Sequence, residues 1–573
     1  MYRGMIVNFR VKKFKLIVSL FLIFTLFCSS SCQLTDKPIS EVEQYTSNSS
    51  FSMPFLTLPV FPDYSVNIKD FGAKANGDTD NTLSINRAIQ ACKAGRGKVI
   101  IPAGIWATGP IKLESKINLH LKKGALLLFS SKFEDYPLIE TSWEGLPVVR
   151  CTSPISGKNL ENIAITGAGI IDGVGDKWRS VLKSEMTEPQ WEELVQSGGV
   201  LRDGHGTTVW WPSVEAANGK ELVASLENNP NSTLQDYADA REYLRPVLIS
   251  LIGCKNVLLD GPTFQNSPAW NIHPLLCENV IIRNINVRNP WYSVNGDGLD
   301  IESCKNVLVY NATFDVGDDA ICIKSGKNEF GRKRGVPSEN IVITDCIVYH
   351  GHGGVTIGSE MSGGVRNVSV KNCRFLGTEV GLRFKTTRGR GGVVENIFIK
   401  DILMKNIKTD AIRFNMFYDN KAASLDDYIE EADDQNSIAV TEETPQFRKI
   451  YIDNVVCNDA GRAIFLRGLP EMAIRNIEIT NTYISSTYGV LSIDAEDIKF
   501  KNLAIKSSAK PEYSLHNNSK VVINRGSMSN YKEPFLRLSG VRTDSILLKD
   551  FDSLAIRQFV KIDKEVKEGA LVY

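Results

Sequence analysis

The 573-residue sequence has no excess of charge of either sign, because 66 Lys and Arg residues balance 66 Asp and Glu residues. Proteins that bind nucleic acid usually display a basic face, so this balance argues against nucleic acid as a main partner. It leaves an acidic polysaccharide open as a partner, since a local patch of cations is enough to bind one. The hydrophobic fraction of 43% is sufficient for a large core.

The apolar run near the start of the chain is short. It extends from Leu16 to Phe27 and would not span a bilayer comfortably, which argues against a retained transmembrane helix. Basic residues precede the run and three serines at 29–31 follow it. This order of basic, apolar and small residues predicts a signal peptide over residues 1–32.

Cys32 makes the prediction for this leader more specific. Small residues before a cysteine are similar to a bacterial lipoprotein box, although Ser29 stands where leucine is usual. We therefore expect a lipid anchor at Cys32 and a polar tether over residues 33–65, with ordinary secretion as the alternative. The protein would then be exported and held on the outer membrane, at the cell surface or in the periplasm.

A short pattern, asparagine followed by apolar, any and apolar residues, recurs along the chain. It begins at Asn162, Asn256, Asn279, Asn306, Asn340, Asn367, Asn396 and Asn476. Between Asn256 and Asn396 the spacings are 23, 27, 34, 27 and 29 residues. Periods of this size indicate stacked units, and their β-branched alternation without room for a long helix predicts strands. We predict an all-β fold, a parallel β-helix whose strands pair from coil to coil at about 4.8 Å.

A second strand in each coil sets the direction of its side chains. Its second and fourth residues are apolar and should point inward, so the third should point outward. These strands open at Gly298, Ala320, Gly354, Gly381, Ala411 and Ala463. Cysteines also recur in register, two residues before or six residues after the repeat asparagine, and nine of the 11 follow Cys32. We interpret them as packed thiols rather than disulfides or metal ligands.

The boundaries follow from where the repeat starts, breaks and ends. The β-helix is predicted over residues 66–525, with residues 526–573 as a cap or tail. A helix that begins after Asp80, its proposed N-cap, should cover the first coil. Two stretches interrupt the repeat as rim insertions, residues 176–245 and the acidic residues 419–445, the latter interpreted as a solvated loop.

Three aspartates and a histidine fall in register. Asp297 and Asp319 each precede the small residue that opens a strand on adjacent coils, while Asp318 and His352 each stand 12 residues after a repeat asparagine. Carboxylates this close repel one another, a cost that usually marks a functional site. Paired carboxyls of this kind perform glycoside hydrolysis, one as acid and one as base. The alternative is an Asp-Asp turn pair.

Cations lie beside this cluster. Arg383 and Lys385 are consecutive outward residues of one strand and suit a sugar that carries a carboxylate. Asn295 and Lys324, next to the same motifs, complete the predicted substrate-binding set. We expect neither a metal ion nor a cofactor.

Four ordered motifs resemble those of glycoside hydrolase family 28, the polygalacturonases. The family shows Asn-Thr-Asp, Gly-Asp-Asp, Gly-His-Gly and Arg-Ile-Lys, and this chain has its counterparts at 295–297, 317–319, 351–353 and 383–385. The resemblance extends over roughly residues 66–505. Two residues depart from the pattern. Phe384 replaces isoleucine and points inward, whereas Gly296 replaces threonine and is expected to loosen the loop that carries Asp297 or to make room for a sugar.

The resemblance implies a right-handed parallel β-helix and an inverting mechanism on galacturonan. In it, Asp318 would be the general acid, Asp297 and Asp319 would activate water, and His352 would tune the acid. Arg383 and Lys385 would bind a galacturonate carboxylate.

Exo-acting bacterial members of the family are similar in carrying rim insertions that block the groove. We therefore expect the pair Trp210 and Trp211 of the first insertion to wall one end of the groove or to stack on a sugar face. The alternative is that the tryptophans of the insertion form its own small core; they are Trp178, Trp191, Trp210 and Trp211.

Three other functions remain open from the sequence. The first is a calcium-dependent pectate lyase, in which oxygen ligands would come from Asp297, Asp300, Glu302, Asp318 and Asp319. The second is a hydrolase of branched pectin such as rhamnogalacturonan. The third is a β-helix that binds glycans without cleaving them, which would not need three acids in register.

Overall fold

The computed structural model describes residues 41–47, 49–418, 425–433, 435–524, 534–551 and 556–573. The chain divides into two units, Met1–Gln44 and Tyr45–Tyr573. The predicted signal peptide and Cys32 lie outside the described residues, as does the first part of the tether. Among the described residues, no helix combines the length and apolar composition needed to cross a membrane.

The second unit is a stack of coils whose strands form three faces of one parallel sheet. The first face contains Ser65–Asn67, Lys98–Ile101, Asn118–Leu121, Glu161–Gly167, Lys255–Asp260, Glu278–Arg283, Lys305–Tyr310, Ser338–Thr344, Val365–Lys371, Ser519–Asn524, Asp544–Lys549 and Leu571–Val572. The second contains Gly104–Thr108, Ala125–Phe129, Ile170–Asp172, Thr263–Gln265, Asn286–Arg288, Thr313–Asp315, Ile347–Val348 and Arg374–Leu376.

The third face holds the strands that matter most for function. It contains Ile111–Lys112, Ile155–Lys158, Ile249–Ile252, Ile272–Leu275, Leu299–Glu302, Ile321–Lys324, Gly353–Ile357, Val380–Lys385, Tyr513–His516, Leu536–Ser539 and Val560–Ile562. Four long strands run through more than one face: Val393–Asn415, Gln446–Arg467, Ile474–Ile493 and Ala495–Ser507. Every pairing among these strands is parallel, so the described residues form the predicted parallel β-helix.

The repeat asparagines explain why the coils stack in one register. Each adopts a left-handed backbone conformation, with φ near 55°, which asparagine tolerates better than most residues. From Asn256 to Asn396, each side-chain amide donates to the side-chain oxygen of the asparagine one coil earlier, as in Asn306 to Asn279 and Asn340 to Asn306, both at 3.0 Å. Asn476 instead donates to Asp497. The asparagine thus turns the chain into the first face and links it to the coil before.

The interior is filled by the inward residues of all three faces. All nine cysteines in the described residues carry free thiols and are buried, which confirms that they pack rather than pair. Phe384 points inward as predicted and stacks on Phe414 of the next coil, with ring centroids 4.1 Å apart.

Both ends of the stack differ in detail from the prediction. Helix α2, Thr82–Gly95, buries Ile85 and Ile89 against the first coil, but Asn81 is its N-cap, and Asp80 instead accepts a hydrogen bond from the amide of Thr82 at 2.9 Å. At the other end, strands after residue 534 continue the parallel faces to Leu571–Val572. The prediction of a separate cap or tail after residue 525 was therefore wrong for the described residues.

Several helices and short strands lie outside the coils. The α-helices are α1 (Glu41–Thr46), α2, α3 (Glu188–Gln196), α4 (Val214–Glu227), α5 (Asn328–Arg334) and α6 (Leu425–Asp433). The first insertion also holds a small antiparallel sheet of Val181–Leu182, Val200–Gly204 and Thr207–Trp211. Short 3-10 turns are Ile68–Phe71, Phe133–Asp135, Gly175–Lys177, Lys183–Glu185 and Leu234–Ala240.

Two expectations for the insertions need correction. Trp178 packs with Tyr136 and Tyr237 in a small core that the insertion shares with residues 133–151, while Trp191 and Trp210 pack together, so these three rings fill small cores instead of walling a groove. The acidic insertion is not a wholly solvated loop, because α6 buries Tyr428 and Ala432 against the outward face of the β-helix. Residues 419–424 and 434 of it lie outside the described residues.

Candidate active site

Four consecutive coils of the third face position the predicted catalytic residues. The register pairs Cys322 with Thr356 and Thr356 with Arg383, so the third residue of each strand points outward as predicted. The turns before these strands carry the acids. Asp319 accepts a backbone hydrogen bond from Gly298 at 3.0 Å, which places it one coil from Asp297.

Asp318 and His352 form one hydrogen-bonded pair. The imidazole Nδ1 lies 3.0 Å from Asp318 Oδ1, and the backbone amide of His352 donates to the carbonyl of Asp318 at 2.9 Å. The charge of Asp318 raises the pKa of His352 to about 9, against an opposing effect of burial. Burial favours the neutral form of Asp318, but the imidazolium outweighs it and lowers the pKa of the carboxyl. The pair therefore holds one proton, mainly on the imidazole.

Asp319 is the most strongly ionised of the three aspartates. Its oxygens accept from Lys385 Nζ at 2.8 Å and Thr356 Oγ1 at 2.9 Å, and Arg383 lies 3.4 Å away. Burial opposes ionisation, yet Lys385 and Arg383 outweigh it and hold the pKa of Asp319 far below its usual range. This carboxylate is therefore ionised and acts as an acceptor near neutral pH.

Asp297 has the opposite character. It is 3% exposed, and its buried Oδ1 has no hydrogen-bond partner among the described residues. Burial, followed by the charge of Asp318, raises its pKa well above the usual value. A carboxyl oxygen of Asp297, one of Asp319 and the thiol of Cys322 lie within 4.8 Å of one another. Two carboxyls of different protonation thus share one small volume.

These groups line a polar cavity of about 270 Å³. Asn295 and Lys324, both predicted to bind substrate, lie in its wall. Sequence reasoning missed seven further lining residues, which are Glu144, Trp270, Lys327, Ser359, Glu360, Arg390 and Tyr418. A larger cavity, of about 440 Å³, lies beside residues 57–62, but no acidic side chain lines it among the described residues, so it lacks the groups for this chemistry.

Buried cations neutralise the acids on the cavity floor. Lys324 Nζ lies 3.2 Å from Glu360 and 3.5 Å from Asp300 and sits over the ring of Trp270 at 4.7 Å. Despite burial, Lys324 and then Lys385 lower the pKa of Glu360 to about 2. In this part of the site, the carboxyl groups of Asp300, Asp319 and Glu360 each lie within 3.5 Å of a lysine ammonium.

This pairing does not suit the calcium alternative. Ca²⁺ binds six to eight oxygen ligands. Of the five acids named for that role, Asp300, Asp318 and Asp319 already face a lysine or histidine, as described above. Glu302 accepts from His273 and Arg334 at 2.9 and 2.8 Å.

A β-hairpin that the sequence analysis did not predict contributes Glu144 to the lining of the cavity. Its strands are Leu138–Trp143 and Leu146–Cys151, joined by the two-residue turn at 144–145, whose φ values of 48° and 75° fit a type I′ turn. The alternating apolar residues around Glu-Gly were the signal for it.

Aromatic and charged contacts hold the hairpin tip in place. Trp143 stacks on Trp270 with centroids 4.2 Å apart, and Arg150 covers its ring at 4.0 Å. Glu144 pairs with Lys327 at 3.1 Å. Glu144 of this hairpin lines the cavity, whereas the four tryptophans of the insertion do not.

Gly296 does not loosen its loop or open space for a sugar. A Cβ atom at this position would come within 2.0 Å of Ser293 Oγ. The Gly296 amide donates to the carbonyl of Ser293 at 3.0 Å, and its own carbonyl accepts from Asn289 at 3.1 Å. The glycine is required by a close approach within the turn.

The model of the glycosyl hydrolases family 28 matches residues 186–430, and a model described as rhamnogalacturonase A/epimerase, pectate lyase-like matches residues 65–120. An exo-poly-α-D-galacturonosidase of Dickeya chrysanthemi is 32% identical over 66% of this chain and 61% of its own length. A probable polygalacturonase of Vitis vinifera is 30% identical over 60% of this chain and 62% of its own length. The chain thus spans less than two thirds of either relative.

A solved structure gives more complete coverage. The hyperthermoactive exopolygalacturonase from Thermotoga maritima is 34% identical, with a TM-score of 0.66, and the match covers 80% of this chain and 95% of that one. This likeness confirms the predicted right-handed parallel β-helix.

Proposed function

Because the chain belongs to glycosyl hydrolase family 28, we propose that it hydrolyses α-1,4-galacturonosyl linkages of polygalacturonate by an inverting acid/base mechanism. The observation that carries the proposal is the contrast in protonation within one cavity. Asp319 is held ionised by Lys385, whereas Asp318 shares a proton with His352 at 3.0 Å. An acid and a base of this kind are the two groups that inversion needs.

The acid step begins at the Asp318–His352 pair. When the glycosidic oxygen approaches, the proton held by His352 passes to Asp318 and from there to the leaving oxygen. Asp319, which is ionised when the substrate binds, accepts a proton from the attacking water on the other face of the sugar. The bond to the leaving sugar breaks as the bond to water forms. The proton that Asp318 gives to the leaving oxygen is matched by the proton that the base takes from water.

Asp297 joins the base as the proton moves. After burial, the charge of Asp318 is the main cause of its raised pKa. Once Asp318 takes the proton, that repulsion is relieved and Asp297 becomes easier to ionise. The proposed pairing of Asp297 with Asp319 is thereby coupled to the acid's own protonation.

The proposed substrate is acidic because cations border the reacting groups. Lys324 and Arg390 line the cavity, Arg383 lies 3.4 Å from Asp319, and Asn295 adds an amide. Lys385 is engaged with Asp319 at 2.8 Å, so we assign it first to holding the base and only second to the sugar carboxylate.

We propose attack from the chain end. Glu144 at the hairpin tip lines the cavity, and relatives and structures named as exo-acting enzymes support the same mode. The test compares viscosity with reducing ends on polygalacturonate. Monomer or dimer release with slow viscosity loss is expected, whereas a rapid fall in viscosity with mixed oligomers would show that the groove is open.

The same digest separates the rival functions. The products should be saturated and initially of inverted anomeric form, as read by proton NMR, and EDTA should have no effect. Unsaturated products that absorb in the ultraviolet, together with EDTA sensitivity, would instead indicate the lyase. Preference for rhamnogalacturonan would indicate the branched-pectin hydrolase, and binding without products would indicate the non-catalytic role.

We also propose that the enzyme is exported and anchored by lipid at Cys32. The basic, apolar and small residues before this cysteine support the proposal. Labelled palmitate should be incorporated into the wild-type protein and not into Cys32→Ala, which should also leave the membrane fraction. Equal labelling of both proteins would contradict it.

A further inference from the structure

Arg245, the last residue of the first insertion, reaches the loop that carries Asp297. Its Nη1 donates to the backbone carbonyls of Val294 at 2.9 Å and Pro268 at 3.1 Å. Its Nη2 donates to Oδ1 of Asn295 at 2.9 Å. The insertion thus contributes a side chain to the catalytic region although its tryptophans do not.

The orientation of the Asn295 amide follows from the chemistry of the partner. A guanidinium has only N–H donors, so it must take the oxygen of the amide and not the nitrogen. Because Asn295 lines the cavity, its Nδ2 is the amide group left for a ligand there. Without Arg245, the amide could turn over and present either atom.

Arg245 is itself fixed from the other side. Its backbone carbonyl accepts from Arg150 Nε at 2.9 Å and Nη2 at 2.6 Å. Arg150 also covers the ring of Trp143 in the hairpin. Hairpin, insertion and catalytic loop are therefore joined through two arginines.

We infer that Arg245 is a positioning residue that fixes the Asn295 amide so that its nitrogen donates to a carboxylate or hydroxyl oxygen of the bound uronate. This inference rests on the proposed function for the identity of the ligand. It also gives the insertion a role in substrate recognition that does not depend on blocking the groove.

A double-mutant cycle on trigalacturonate tests the inference. Arg245→Met and Asn295→Ala should each raise KM, with a fall in kcat/KM of about 10- to 100-fold and kcat within about threefold. The double variant should lose no more than Asn295→Ala alone, because Arg245 acts through that amide. Arg245→Lys, which retains a donor, should recover part of the loss. Additive losses, or wild-type kinetics in Arg245→Met, would overturn the inference.

Arg241→Met is the matched control. This arginine belongs to the same insertion, but its guanidinium donates to the carbonyls of Phe133 and Glu134 at 3.5 and 3.4 Å. Its kinetics should equal those of the wild type, and an equal rise in KM would mean that Arg245→Met acts through general loosening of the insertion.

Amide hydrogen exchange separates a failure of this inference from a failure of the proposed function. Exchange over residues 293–297 needs no substrate, and it should accelerate in Arg245→Met and not in Arg241→Met. If the wild type does not cleave galacturonan, the proposed function fails, while the exchange still reports whether Arg245 holds the loop of Asn295. Unchanged exchange in Arg245→Met would show that Arg245 does not hold this loop and would overturn the inference.

Discussion

Replacing Lys385 by methionine should convert the catalytic base from a permanently ionised group into a titrating one. Lys385 Nζ lies 2.8 Å from Asp319 Oδ2, and both side chains are buried, at 8% and 1% exposure. Methionine keeps much of the volume of lysine but removes its charge. Asp319 would then keep Thr356, the more distant Arg383 and the weakly donating thiol of Cys322 as partners.

The expected loss of stability follows from the partners of Asp319 that remain. Breaking a buried ion pair by removing one member costs about 3–5 kcal/mol. Arg383 at 3.4 Å and Thr356 at 2.9 Å still stabilise the charge of Asp319 in part. We therefore expect Lys385→Met to lower the free energy of unfolding by about 2–3 kcal/mol near neutral pH. The charge of Asp319 is also less stabilised, so its pKa must rise.

The sign of the pH dependence is fixed by the direction of that shift. Because the pKa of Asp319 in the fold is lowered, its contribution to stability is present above the unfolded value, about 3.9, and is lost as pH falls. In Lys385→Met this contribution shrinks, and the acid limb of kcat/KM should move to higher pH.

Denaturant unfolding at pH 7 and a pH–rate profile on oligogalacturonides measure the two effects. Lys400→Met is the matched control, since Lys400 is 56% exposed and its pair with Asp453 at 3.2 Å should contribute no more than about 1 kcal/mol. A Lys385→Met variant with the wild-type acid limb would refute the assignment of Lys385 to the base.

Three further predictions concern the neighbouring residues. Asp318→Asn should abolish nearly all turnover while calorimetry shows retained binding, because the leaving oxygen loses its proton donor. Activity should fall as pH rises through about 9, where His352 loses the proton it shares, and the pH–rate profile of His352→Gln should lack this limb and start from a lower rate. Because the pKa of His352 is raised in the fold, its pairing with Asp318 stabilises the protein fully below about 6.5, and this stabilisation is lost as pH rises through about 9. Arg383→Ala should weaken oligogalacturonide binding by roughly 1.5–3 kcal/mol in calorimetry, and unchanged affinity would remove it from the carboxylate site.

The fold and the aspartate cluster could be predicted because both repeat with the coil. The asparagine that recurs in the sequence turns the chain and donates a hydrogen bond to its counterpart on the preceding coil, as Asn340 does to Asn306. Once that position is known, counting along each coil places Asp318 beside His352. In such a stack, residues at the same position of adjacent coils are also neighbours in space.

Residues outside the repeat could not be placed in this way. Glu144 reaches the cavity from a hairpin, Arg245 reaches the loop of Asp297 from an insertion, and both lie far along the chain from the acids. Their positions depend on long-range contacts such as Trp143 on Trp270, which no spacing encodes. The tail was misplaced for a related reason, since its coils lack the repeat asparagine that marks the others.

The two ends of the catalytic face constrain the length of substrate that can lie along it. At one end the hairpin tip lines the cavity. At the other, the outward column runs from Arg383 to Arg413 and then to Phe465, on which helix α6 packs through Tyr428. Two coil spacings amount to roughly 10 Å. The hairpin tip and helix α6 therefore lie on the two sides of the catalytic coils, an arrangement that supports the proposal of attack from the chain end.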